Sequence, residues 1–158
     1  MTVIAYSAKH KVLAADSRCS DDRSMHLTNC KKIFRLSNGA LLGTAGDSDD
    51  RDVRNLLAKS SPKKLPTRAQ LAELKMTFDG LLVFPKGQVF VVSIEFEANE
   101  KGWSGAIDSI TDNYVAVGHG AQFAYGALEA GKSPVDAVRI ACRRDTTCAL
   151  PVQWERLE

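Results

Sequence analysis

The chain opens with MTVIAYSAKHKVLAAD, so a threonine follows the first methionine. Once Met1 is removed, Thr2 carries a hydroxyl nucleophile and a free α-amine on one residue. A threonine hydroxyl is a weak nucleophile at neutral pH and needs a base. A terminal α-amine titrates at about 7.7–8.0 in peptides, so near working pH it accepts the hydroxyl proton directly or through a water. With Met1 retained, Thr2 offers only an amide nitrogen, which is no base. Removal of a methionine that precedes so small a residue is the expected processing, and no propeptide is required. Three more residues stand at element boundaries: Asp16, Lys32 and Gly46. Taken alone they read as a turn acid, a surface lysine and a turn glycine.

The elements that carry these residues follow from hydropathy alternation and turn chemistry. Thr2 to Ser7 and Val12 to Asp16 are expected strands around the polar turn Ala8–Lys11, which makes a hairpin. Ser17 to Asn29 is polar, with turn signals at both ends. Lys32 to Leu36 alternates polar with apolar, Ser37-Asn38-Gly39 is a tight turn, and Ala40 to Ala45 returns as a strand. Ser48 is the expected cap of a helix striped by Val53, Leu56 and Leu57. A lysine-rich linker then leads to a second helix capped by Thr67 and running to about Lys75. Asp79 to Phe84 and Gln88 to Phe96 form another hairpin through Pro85-Lys86-Gly87. Tyr114 to Val117 is a strand stopped by Gly118-His119-Gly120. A helix with Ala121, Ala124, Ala127 and Leu128 on one face follows and ends at Gly131. Ser133-Pro134-Val135-Asp136 starts a further helix, and Leu150 to Leu157 closes the chain as a strand. Strands grouped with strands and helices with helices disfavour a doubly wound sheet. The order fits an α+β fold of two packed antiparallel sheets with helices outside.

Bulk properties exclude several classes. With 158 residues, residues 1–158 are expected to form one domain with its own core. The net charge of +2 is too small to argue for nucleic acid or an anionic membrane surface, and no apolar run is long enough to span a bilayer. No secretion signal is evident, so a cytoplasmic setting is expected. Cys19, Cys30, Cys142 and Cys148 form no CxxC pair and match no common zinc spacing, and the three histidines are scattered. Reduced cysteines packed as small apolar residues, no metal and no cofactor are the expectation.

The stretches TVIAY and KVLAADSR, then NCKKIFRL, LLGTAGDSDD, YVAVGHGAQFAYGALEAG and AVRIACRRD, resemble the proteasome β-subunit family. They are similar also to its bacterial relative, the peptidase subunit of the HslUV protease. The resemblance is good over residues 2–59 and 112–148 and weak over 60–111. In that family an Asp ends the second strand, a Lys follows it by sixteen residues and a Gly follows the Lys by fourteen. Asp16, Lys32 and Gly46 keep both spacings.

The resemblance implies a four-layer αββα sandwich of the N-terminal-nucleophile hydrolase type, with Thr2 as nucleophile. Lys32 would sit beside the Thr2 hydroxyl and favour its deprotonation, Asp16 would fix Lys32, and the Gly46 N–H would meet the developing oxyanion. Asp145 matches the acid near the amine. The family's serines at two neighbouring positions are His119 and Cys148 here, so the site is either retuned or silenced, and His119 reads equally as a loop residue. In an alternative register Met1 takes the nucleophile position, and the fold stays while the chemistry goes. Cys19, Cys30, Thr44 and Ser48 would line the pocket beside the nucleophile and favour uncharged side chains.

The implied activity is that of a threonine-type hydrolase cutting a peptide or amide bond. The alternatives are a silent ring or scaffold subunit and an amidase acting on a small metabolite. A homo-oligomer is implied. The reduced 48–76 helical region leaves a standard ring and an ATPase unfoldase partner open. Neither nucleic acid nor membrane is implied as a partner.

Overall fold

The computed structural model describes residues 2–20, 26–27, 29–46 and 49–158. Strands β1 (Val3–Ser7) and β2 (Val12–Ala15) form the expected first hairpin. Two short strands, β3 (Cys19–Ser20) and β4 (His26–Leu27), pair in the polar segment. Then come β5 (Ile33–Arg35), β6 (Leu41–Gly46) and the helices α1 (Arg51–Ala58) and α2 (Arg68–Ala72). Three long antiparallel strands follow: β7 (Phe78–Val83), β8 (Val89–Glu97) and β9 (Gly102–Ile110). The chain ends with β10 (Tyr114–Gly118), α3 (Ala121–Glu129), α4 (Pro134–Arg144) and β11 (Gln153–Arg156).

The strands form a four-stranded sheet, β10-β1-β2-β11, and a five-stranded sheet, β5-β6-β7-β8-β9, both antiparallel. Three apolar layers define the stacking. Val3, Ala5 and Ala14 pack under α3 and α4. Ile4, Tyr6 and Leu13 meet Leu41, Leu81 and Val83 between the sheets. Leu42, Phe78, Leu82 and Val92 pack under α1 and α2 with Val53, Leu57 and Leu71. Alternate residues of β1 therefore enter different cores, which is why VIAYS reads as an unbroken buried run rather than as an amphipathic strand. The architecture is the expected α+β sandwich, two antiparallel sheets between helix layers.

Local signals fixed several elements. Thr67 caps α2 in a reciprocal box with Gln70, and the Ser133 hydroxyl accepts the Asp136 N–H ahead of Pro134-led α4. Gly131 closes α3 at positive φ, with Lys132 N–H reaching the Ala127 carbonyl. Other expectations are corrected. The residue at the cap position of α1 is Asp50, whose carboxylate pairs with Arg54 instead of capping the helix; Ser48 lies outside the described residues. Helix α2 stops at Ala72, and β11 begins only at Gln153.

The largest omission is β9. Its sequence, GWSGAIDSI, holds Gly, Ser and Asp, which are poor strand formers, yet it pairs with β8 over nine positions. Packing explains it. A Cβ at Gly105 would lie 2.5 Å from the Leu71 Cβ and 2.9 Å from the Arg68 carbonyl oxygen, so the missing side chain lets α2 lie directly on β9. Gly105→Ala should therefore cost about 1–3 kcal/mol in urea unfolding. An unchanged midpoint would contradict this packing.

Candidate active site

The first hairpin sets the centre of the site. Thr2 precedes β1 and Asp16 follows β2, and the register Ile4↔Ala15 brings them to the same end. The Asp16 N–H donates to the Val3 carbonyl at 3.2 Å, and the Val3 N–H donates to Asp16 Oδ1 at 3.1 Å. Lys32 enters from the other sheet, at the residue before β5. Its ammonium donates to Thr2 Oγ1 at 2.7 Å and to Asp16 Oδ1 at 2.8 Å. All three are withdrawn from solvent: Asp16 is 0%, Thr2 4% and Lys32 5% exposed. Thr2 is in direct contact with Lys32, and Met1 lies outside the described residues.

A buried ion pair is tolerable only when its remaining polar capacity is satisfied. Asp16 meets this condition. Its Oδ2 accepts the N–H groups of Arg18 and Ala149, each at 3.1 Å, while Oδ1 takes Val3 and Lys32. The backbone thus fixes the carboxylate and the carboxylate fixes Lys32. Gly46 ends β6 at a φ of 107°, and a Cβ there would collide with the Thr77 carbonyl, so the position admits only glycine.

A second cluster is built where β10 and α4 end. Asp145 follows α4, and its Oδ2 lies 2.7 Å from His119 Nδ1. Its Oδ1 accepts the Thr147 N–H at 2.8 Å and the Thr147 hydroxyl at 2.6 Å. Burial pushes this carboxyl up, but the hydrogen bonds from Thr147 and His119 together outweigh burial and hold it down at about 2. Facing that anion, His119 Nδ1 carries the proton. The turn that bears His119 is joined to the residue before β1 by Gly120 N–H donating to the Thr2 carbonyl at 3.3 Å. The imidazole is 63% exposed, so it is no core histidine. Cys148, by contrast, is 3% exposed and packs with the α3/α4 core; burial, reinforced by Asp16 and Asp145, pushes its thiol up to about 12. It stays a neutral thiol, a poorer hydrogen-bond partner than serine.

The remaining residues divide. Cys30 lies two positions before Lys32, and the Thr44 N–H donates to the Lys32 carbonyl at 2.8 Å, so both flank the Lys32 segment. Ser48 lies outside the described residues. Cys19 and Cys30 are corrected in chemistry: they form a disulfide, with Cα atoms 5.9 Å apart, and only Cys142 and Cys148 are free. Spacing along the chain gave no sign of this, because the bridge depends on the short β3–β4 ladder. Sequence reasoning also missed Thr147 and Gln153, both single polar residues without a motif. No group of three or more metal-binding side chains occurs among the described residues. None of their helices is long and apolar enough to cross a membrane.

Thiol counting checks the cysteine assignment. Burial pushes the Cys142 thiol up to about 11 as well, so the native protein should react slowly with a disulfide reagent. Unfolded without reductant it should expose the two thiols of Cys142 and Cys148, and after reduction all four. Four thiols before reduction would contradict the bridge.

Comparison with known proteins finds related sequences. Proteasome subunit beta 2 of Pyrococcus furiosus is 28% identical over 154 residues, covering 85% of this chain and 75% of that protein. Proteasome subunit beta 2 of Pyrococcus abyssi is 28% identical over 155 residues, covering 85% and 74%. No family model matches the chain. Over most of its length the chain is similar to proteasome beta subunits, and its two-sheet sandwich is consistent with the N-terminal-nucleophile hydrolase fold of those relatives.

Proposed function

We propose that the chain is a threonine-type N-terminal-nucleophile hydrolase that cleaves peptide or amide bonds once Met1 is removed. The observation that carries this reading is the buried Lys32 ammonium, 2.7 Å from Thr2 Oγ1 and 2.8 Å from Asp16. A cation at that distance favours the alkoxide over the hydroxyl. The freed α-amine takes the Thr2 proton, directly or through a water. Oγ1 then attacks the substrate carbonyl carbon, and the Gly46 N–H stabilises the oxyanion. The proton passes to the leaving amine as the C–N bond breaks. Water attacks the resulting ester, with the amine again as base, and restores Thr2. In this reading His119, oriented by Asp145, lies on the amine side of the nucleophile and helps hold its water.

In this reading the domain spans residues 1–158, and Cys19, Cys30 and Thr44 wall a pocket for an uncharged side chain. The relatives are named as subunits, which supports an oligomer, and a homo-oligomer belongs to this reading. A cytoplasmic setting belongs to the same reading, although the Cys19–Cys30 bridge is uncommon there outside hyperthermophiles.

One observation favours a second reading, a silent ring or scaffold subunit: a buried neutral thiol, Cys148, stands where the family has a serine near the amine. Intact-mass spectrometry of the natively expressed protein separates the two. The hydrolase loses Met1 and gains one β-lactone adduct on Thr2. Thr2→Ala abolishes the adduct, and Lys32→Ala slows its formation by roughly 10²-fold or more. A chain that keeps Met1 and resists the lactone is the silent subunit.

A further inference from the structure

A single side chain from the last strand reaches into the segment that carries Lys32. Gln153 stands on β11 opposite Ala15 of β2. Its Oε1 accepts the Lys32 N–H at 2.7 Å and the Ile33 N–H at 3.3 Å. Its Nε2 faces three oxygens: the Cys30 carbonyl at 2.6 Å, Ser17 Oγ at 3.0 Å and the Asp16 carbonyl at 3.2 Å. The amide has one orientation that works, since turning it over would set an NH₂ against two N–H donors and an oxygen against two carbonyls.

These contacts join three pieces of backbone and span both sheets. They are the end of β2 that carries Asp16, the Cys30–Lys32 approach to β5, and β11 itself. The neighbouring bonds run along the same seam. Ser17 donates from its hydroxyl to the Pro151 carbonyl at 2.6 Å and from its N–H to the Ala149 carbonyl at 2.9 Å. Further out, Arg35 of β5 reaches the Arg156 carbonyl of β11 at 2.8 Å. The hairpin fixes Asp16 relative to Thr2; the Lys32 backbone is held to its own sheet by the Thr44 N–H donating to its carbonyl at 2.8 Å, and its N–H is held to the first sheet by Gln153. An ammonium on a four-carbon stem finds a 2.7 Å contact reproducibly only when its own backbone is held.

We propose that Gln153 is a positioning residue: its amide locks the Lys32 backbone to the Asp16 strand and so sets the Lys32–Thr2 contact. This rests on the hydrolase reading above for its consequence in activity, but not for its geometry. Glutamine suits the place because it supplies an acceptor on one side and two donors on the other. Gln153→Leu keeps the volume and removes every bond. Gln153→Glu keeps the acceptor for Lys32 N–H and loses the donors.

The test measures amide hydrogen exchange at Lys32 and Ile33 by NMR, together with β-lactone labelling of Thr2 across pH. Trp154→Ala, an exposed change on the same strand, serves as the control. In Gln153→Leu the two amides should exchange about tenfold faster while Leu82 and Ile94 in the α1/α2 core keep their rates. Labelling should slow by about tenfold at saturating lactone, with its pH profile displaced. Gln153→Glu should recover the protection of Lys32, and Trp154→Ala should match the parent.

The proposal is overturned if the Lys32 amide stays protected in Gln153→Leu, or if it loosens only in step with the core. It is also overturned if labelling keeps the parent's rate and pH profile. Should Gln153→Leu not fold, Gln153→Glu decides alone: a Lys32 amide protected as in the parent supports the clamp, and an unprotected one overturns it. A parent that takes no lactone defeats the hydrolase reading, and the exchange arm still decides the clamp.

Discussion

The whole molecule is arranged around one ion pair that water does not reach. Lys32 and Asp16 come from different sheets, meet at 2.8 Å, and share their environment with the Thr2 hydroxyl. Removing two charges from water costs several kcal/mol per ion, so such a pair persists only where the surrounding backbone supplies hydrogen bonds in fixed places. Three N–H groups do this for Asp16, from Val3, Arg18 and Ala149. These come from the start of β1, the turn after β2 and the segment before β11. The pair therefore constrains the packing of both chain ends, and a local rearrangement of any of these segments exposes a charge.

The sandwich makes that arrangement affordable in structural terms. The apolar layer between the sheets, with Ile4, Leu13, Leu41 and Leu81, fixes the separation at which a lysine stem can cross from one sheet to the other. The outer layers pack each sheet against its helices. At the rim, where β strands end and apolar side chains run out, polar groups take over: the Asp145–Thr147–His119 cluster on one side and the Gln153 amide on the other.

What could be read from the sequence was whatever local chemistry encodes. The first hairpin, the Thr67 and Ser133 caps and the Gly131 helix end follow from neighbouring residues alone. Asp16, Lys32 and Gly46 gained meaning only from their mutual spacing within a recognised family. The failures share a different cause. Strand β9 is a strand because β8 pairs with it and α2 leans on Gly105, neither of which its own composition announces. The Cys19–Cys30 bridge needs two segments to meet across a short ladder. Gln153 is one polar residue in PVQW, and its five contacts reach 120 or more positions back along the chain. Long-range satisfaction of buried polar groups leaves no periodic trace.

The central claim is that Lys32 and Asp16 form a buried, mutually dependent pair. A double-mutant cycle on unfolding free energy tests it most directly, using Asp16→Asn, Lys32→Met and both together. Each single change strands a charge or its hydrogen-bond partners and should cost about 3–5 kcal/mol, while the double variant should cost clearly less than the sum. Small losses that simply add would mean that the two side chains are solvated and independent, and would contradict the account.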